Sequence, residues 1–137
     1  MQYSNPPPKE ARVPFIDIHS VQPMQLFPGC RIRTPYGQNL MLSYVEIDEG
    51  ADVPPHQHPH EQAGMVLSGR LEFTIGEETR TVEAGAMFLI PPNTPHTVKN
   101  RGPGPALVLD VFSPVREDYV EMTNRYVPAP NGSRRPN

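Results

Sequence analysis

The chain has 137 residues, enough for one domain, and carries 19 prolines and 10 glycines. Each proline lacks an amide donor and clashes with a preceding helical turn, which argues against a helical bundle and for short strands joined by turns. A net charge of −3 argues against an extended basic face for nucleic acid. The single cysteine, Cys30, excludes an intrachain disulfide, and no apolar run reaches the ~18 residues of a membrane-spanning helix. Residues 1–20 lack an uninterrupted apolar stretch, so no secretion signal is expected and the chain reads as cytoplasmic.

Residues 1–12 are polar, contain Pro6, Pro7 and Pro8, and read as a flexible segment. Residues 13–18 read as a first strand, with Pro14 suited to a sheet edge. Residues 39–48 read as a longer strand with Leu40, Leu42 and Tyr44 on one face and Met41, Val45 and Ile47 on the other. A short strand at 64–67 is ended by Gly69. Residues 70–75 alternate, with Leu71, Phe73 and Ile75 inward. The turn 76–78 leads to the partner strand 79–83. Residues 86–90 are apolar throughout, as in a strand covered on both faces. Strands at 94–100 and 106–112 follow, then a short helix at 116–124 and a flexible tail from 125 to 137. The expected domain, residues 13–124, is an all-β barrel or jelly roll with one short C-terminal helix.

Three of the five histidines fall within five residues of GADVPPHQHPHEQAGMVLSG, residues 50–69. A period-two strand sets His56 and His58 on one face, where their imidazoles can meet one cation. Gln62 adds an amide oxygen four residues on. His96 follows IPPNTP, a rigid turn able to return a third imidazole. An isolated H-x-H pair in a proline-rich loop is more often a pair of solvated side chains; the surrounding punctuation shifts that weighting.

Gly50, His56, His58 and Gly69 fit the first motif of the cupins, G-x5-H-x-H-x3,4-E-x6-G, with Gln62 at the usual Glu position. Gly85, Pro91, His96 and Asn100 fit the second, G-x5-P-x-G-x2-H-x3-N, with Asn93 replacing its Gly. Asn tolerates the left-handed backbone that a turn glycine supplies. Fifteen residues separate Gly69 from Gly85, a spacing typical of small single-domain cupins. The chain therefore resembles the cupin superfamily, and the resemblance implies a small double-stranded β-helix, or jelly roll, with a metal inside it. The PHEQ run and the later LDVFSPVREDY make it similar to the KdgF-type cupins of pectin degradation, which act on unsaturated uronate monomers. That likeness implies one divalent transition metal held by His56, His58, Gln62 and His96, with Asp110, Phe112 and Arg116 completing the active site.

Three histidines and a glutamine contribute no negative charge, so a divalent ion among them keeps its Lewis acidity. The set lacks the carboxylate of the 2-His-1-carboxylate oxygenases. Ni, Zn, Fe, Co and Mn all suit it. Asp110 and Phe112 share strand parity. Facing inward, Asp110 is a catalytic carboxyl group whose burial favours proton transfer; facing outward, it is a strand-end carboxylate paired on the surface. Arg116 reads either as a catalytic and substrate-binding clamp on a carboxylate or as a helix-start arginine in water. Phe112 reads as core or as the wall against which a substrate ring packs. His60 reads as a loop residue, Glu61 as outward, His19 as solvated, Cys30 as a small apolar residue, and Met41, Met65 and Met87 as core or pocket lining.

The leading expectation is a non-redox metal enzyme that opens and ketonises a 4,5-unsaturated uronate. A cupin-type dioxygenase and a non-catalytic ligand-binding cupin are the alternatives. The expected partner is a small molecule, with neither nucleic acid nor membrane. A homodimer is implied by analogy with cupins in which an N-terminal strand, here 13–18, completes the partner's sheet.

Overall fold

Among the described residues, short stretches of alternating side chains and frequent turns build ten strands and one α-helix. The computed structural model describes residues 14–123. The strands are β1 (Met24–Phe27), β2 (Cys30–Arg33), β3 (Met41–Ile47), β4 (Asp52–His56), β5 (Glu61–Ser68), β6 (Arg70–Ile75), β7 (Glu78–Glu83), β8 (Met87–Ile90), β9 (His96–Lys99) and β10 (Ala106–Ser113), and helix α1 is Glu117–Thr123. They form a six-stranded sheet in the order β1-β2-β3-β10-β5-β8 and a four-stranded sheet in the order β4-β9-β6-β7. All pairings are antiparallel. This is the all-β jelly roll expected, with its short C-terminal helix. No helix among the described residues is long and apolar enough to cross a membrane.

Strict alternation makes the core. In β3, Met41, Ser43, Val45 and Ile47 are buried while the residues between them are partly exposed. Leu71 and Phe73 of β6 meet Val98 of β9 and Val108 of β10 in the space between the sheets. Cys30 and Ile32 extend that core from β2.

Several sequence expectations change. Residues 14–17 form no strand, and Ile18–Ser20 is a single 3-10 turn. Asp17 is the cause: its Oδ1 accepts the His19 amide at 3.0 Å, a local acceptor that competes with a sheet ladder. Val13 lies outside the described residues, as do the expected flexible segments 1–12 and 125–137. Strands β1, β2 and β4 were not foreseen. The residues of β4 read Asp-Val-Pro-Pro-His, which two prolines disguise; the strand tolerates them because it is an edge, paired only to β9. The apolar strand β8 is also an edge, and it is covered on one face only. Its Met87 and Leu89 are 78% and 70% exposed.

Asn93 has φ 60°, the left-handed conformation of the motif's usual glycine, and its amide donates to the His58 carbonyl at 2.7 Å. Asn100 acts as an internal tie. Its Nδ2 donates to Ile47 O at 2.9 Å and Gly104 O at 3.0 Å, and its Oδ1 accepts from the Gly102 amide at 2.9 Å. At 1% exposure, no water replaces these partners. Asn100→Ala is expected to cost about 2–4 kcal/mol, from buried groups left unsatisfied. Urea unfolding checks this as a lower midpoint at unchanged slope.

Burial pushes the Cys30 thiol up to about 11. Since the thiolate is the reactive form, alkylation of Cys30 at pH 8 is expected to be at least ~100-fold slower in the folded chain than in urea, as mass spectrometry of timed samples would show.

Candidate metal centre and barrel lumen

His56 closes β4 and His96 opens β9, and the two are register partners. His58 sits in the following loop, and Gln62 enters at the start of β5. The ring centroids of His56 and His96 lie 4.1 Å apart, those of His58 and His96 5.1 Å, and those of His56 and His58 5.9 Å. One nitrogen of each ring can be chosen so that all lie within 4.8 Å of one another.

Backbone carbonyls set the tautomers. His56 Nδ1 donates to Pro54 O at 2.9 Å, His96 Nδ1 to Thr94 O at 2.8 Å, and His58 Nδ1 to His60 O at 3.1 Å. A carbonyl only accepts, so each Nδ1 carries the proton and each Nε2 keeps a lone pair. Burial lowers the pKa of His56 and His58, and takes His96 down to about 4. The rings are therefore neutral near pH 7, the form that binds metal.

Two contacts then have no protein partner to complete them. His96 Nε2 is buried without a hydrogen bond. The His58 Nε2 lone pair faces Gln62 Oε1, another acceptor, at 3.1 Å. A cation shared by these atoms satisfies both, and imidazole and amide donors suit a divalent transition metal. The residues present fit such an ion.

Asp110 stands in β10 between Ser43 of β3 and Gly64 of β5. It faces inward, which removes its surface reading. Burial pushes its carboxyl up to about 7, against the lowering effects of a hydrogen bond from Gln62 and of the Arg116 charge. Its Oδ1 has no partner. Gly64 makes room for it: a Cβ there would come within 2.6 Å of Asp110 Oδ1 and would overlap the Phe88 ring.

Arg116 is also buried, contrary to the reading that placed it in water. Its Nε and Nη2 donate to Asp118 at 3.2 and 2.7 Å. The guanidinium lies 3.8 Å from the Tyr119 ring centroid and 5.0 Å from that of Phe112. Nη1 is buried without a partner. Phe112 meets His58 edge-on at 5.6 Å. His56, Gln62, His96, Asp110, Phe112 and Arg116 thus line one cavity of about 60 Å³ inside the barrel. The remainder of its wall is mainly core residues such as Ile32, Val53 and Phe73.

Other residues sort themselves around this site. His60 is buried, but its Nε2 faces Glu117 Oε1 at 3.1 Å and it stands outside the three-imidazole group. Glu61 and His19 are exposed, as expected, and Cys30 is a buried apolar residue. Met41 is core, Met65 is half-buried and Met87 is exposed, because alternation turns the last two to the outside of the sheet. Asp118, Tyr119 and Gly64 were not foreseen as parts of the site. An isolated glycine inside a strand is a sequence signal of close approach. Nothing in the local pattern marks Asp118, two residues from the arginine it holds.

Residues 43–112, running from within β3 to β10, match the family described as Cupin domain. The chain is a cupin. KdgF from Halomonas sp. superposes on it with a TM-score of 0.71 and 34% sequence identity, over 77% of this chain and 96% of that one. An RmlC-like cupin from Shewanella frigidimarina gives a TM-score of 0.73 at 25% identity, over 78% and 96% of the two chains. H2HPP isomerase of Bacillus subtilis is 37% identical over 73 residues, 53% of this cupin and 30% of that protein. This cupin spans less than half the length of the curated relatives it matches.

Gly64→Ala should displace Phe88 and Asp110 together and cost about 1–3 kcal/mol by overpacking. Thermal unfolding checks the stability. An Ala variant as stable as the parent would contradict the close approach.

Proposed function

We propose that this cupin is a metal-dependent, non-redox enzyme acting on a small oxygenated carboxylate. The reaction implied by its likeness to the KdgF type is ring opening and ketonisation of a 4,5-unsaturated uronate. The carrying observation is that the cavity lined by His56, His96 and Gln62 also holds a buried carboxyl group and a buried guanidinium, with His58 grouped beside the other two imidazoles.

In this reading His56, His58, Gln62 and His96 hold one divalent ion. When bound, that ion supplies Lewis acidity toward the oxygens of the substrate. All four donors are neutral, so the chain subtracts nothing from the charge it binds. Asp118 and the rings of Phe112 and Tyr119 hold the Arg116 guanidinium, leaving Nη1 to meet a substrate carboxylate. Phe112 supplies an apolar wall that excludes water from one side of the ring. Asp110, the carboxyl group among the residues lining the cavity, takes or returns the proton at carbon. Opening the ring breaks the bond between the anomeric carbon and the ring oxygen as the anomeric hydroxyl gives up its proton, and a proton arriving at carbon turns the resulting enol into the ketone; ring and open-chain forms are isomers, so no electron acceptor is required.

The test joins metal analysis to an anaerobic NMR assay with unsaturated galacturonate. The parent is expected to carry about one divalent ion per chain and to turn over without dioxygen. Asp110→Asn is expected to lower kcat about 10²–10⁴-fold with metal content unchanged. Arg116→Lys, which loses the planar fork, should raise KM, and less so for an analogue without the carboxylate. Parent-rate turnover by both variants, or a strict requirement for dioxygen, would overturn the reading.

A further inference from the structure

His60 belongs neither to the three-imidazole group nor to the grip on Arg116, yet it reaches both. It lies in the loop between β4 and β5 and is 6% exposed. Its carbonyl takes the Nδ1 proton of His58 at 3.1 Å, and its ring centroid stands 5.5 Å from that of His58. Its Nε2 meets Oε1 of Glu117, the first residue of α1, at 3.1 Å across 57 positions of sequence. A carboxylate only accepts, so Nε2 carries the proton. Nδ1 is buried without a partner. Among the described residues, the bond to Glu117 is therefore the one polar hold on this ring.

The contacts of Arg116 show what that hold can do. Asp118 and Tyr119 lie on α1, one turn or less from the arginine, so they set the guanidinium relative to the helix and leave its place relative to the histidines open. Two links cross that gap. One is apolar: the Phe112 ring meets His58 edge-on at 5.6 Å and lies 5.0 Å from the guanidinium. The other is the His60–Glu117 bond, made by the residue that directly follows Arg116. Ring contacts tolerate sliding, whereas a hydrogen bond fixes a length and a direction.

We propose that His60 is a positioning residue that ties the metal cage to the Arg116 clamp: its carbonyl aims His58 and its ring anchors α1. The inference rests on the metal-centre reading of the proposed function and adds what fixes the spacing between ion and guanidinium. A substrate gripped at both ends needs that spacing held within about 0.5 Å. With its ring bonded to α1, the His60 peptide is not free to turn, and the acceptor that directs His58 Nε2 is steadied from the helix. The tie contributes little to folding, because the Glu117 side chain is 80% exposed. Its removal therefore acts on the site and leaves the barrel intact.

Nickel titration and amide exchange of the full chain test this with no substrate present. The Val120 amide closes the first helical bond onto Arg116 O at 3.0 Å and reports whether α1 is docked. In the parent, Ni²⁺ is expected to slow its exchange at least ~10-fold, because a tie that favours the ion is favoured by it in return. Glu117→Ala should weaken Ni²⁺ binding about 10-fold, the low end for loss of a group behind a metal ligand, and should abolish the slowing. Glu117→Gln keeps the acceptor and drops the charge, and it should restore both. Neither a helix-charge effect nor a general loss of stability would be rescued in that way. His60→Ala, which retains the carbonyl, should match Glu117→Ala. Should the His60 variant fail to fold, the two Glu117 variants decide alone. Ni²⁺ uptake that leaves Val120 unchanged in the parent overturns the proposal while the metal centre stands, and so does a Glu117→Ala variant that binds Ni²⁺ like the parent. A parent that takes up no Ni²⁺, Zn²⁺ or Mn²⁺ overturns the metal centre itself, and this proposal with it.

Discussion

The arrangement of this site rests on how three imidazoles dispose of one proton each. Every ring gives its Nδ1 proton to a nearby backbone carbonyl, of Pro54, His60 or Thr94, and so turns an unprotonated Nε2 toward the others. Proline-rich segments carry those carbonyls, and the Asn93 amide ties the loop at His58 to the turn before β9. Burial keeps the rings neutral. Lone pairs held in place this way repel unless something positive lies among them. The cage therefore asks for a cation as a consequence of its hydrogen bonding, and the rest of the barrel serves to hold the four donors against that repulsion.

The second polar group in the lumen follows the same logic at the other end. Arg116 is a permanent charge brought out of water beside the histidines, where a like charge opposes their protonation. Asp118 neutralises one edge of it and two aromatic faces cover its plane. What is left is Nη1 and the inward carboxyl group of Asp110, each with a buried atom lacking a partner. Buried unsatisfied groups are costly, and their clustering in one cavity is the mark of a site prepared for a polar ligand. Gly64 permits the cluster by giving up its side chain where Phe88 and Asp110 approach.

The two faces of the six-stranded sheet divide the labour. Inward positions of β3, β5 and β10 supply Ser43, Gln62, Asp110 and Phe112 to the lumen. Outward positions of the same strands, with those of β8, make two apolar rows that end at an unpaired edge, with Glu46 and Glu61 beyond them. Because strand parity assigns each residue to one side or the other, changes on the outer face leave the inner chemistry alone.

The sequence by itself determined the all-β class, the hairpin of β6 and β7, the core of β3 and the cupin punctuation, because these depend on short-range periodicity and on residues with special backbone freedom. It also brought out His56, His58, Gln62 and His96 as a group through the motif spacing, although His56 and His58 do not share a strand as expected: β4 ends at His56 and His58 lies in the loop after it. It misjudged residues 14–18, where a side-chain acceptor outbids the ladder, and it hid β4 behind two prolines that only an edge position tolerates. Tertiary structure alone decided which way Asp110 and Arg116 point. Parity leaves two faces open for one, and the other sits between strand and helix with no local preference. It alone brought Asp118 and Tyr119 onto the guanidinium and left Met87 and Leu89 uncovered. Those outcomes turn on what lies across the sheet or around the turn at Pro114, contacts between residues whose separation in the chain carries no local pattern.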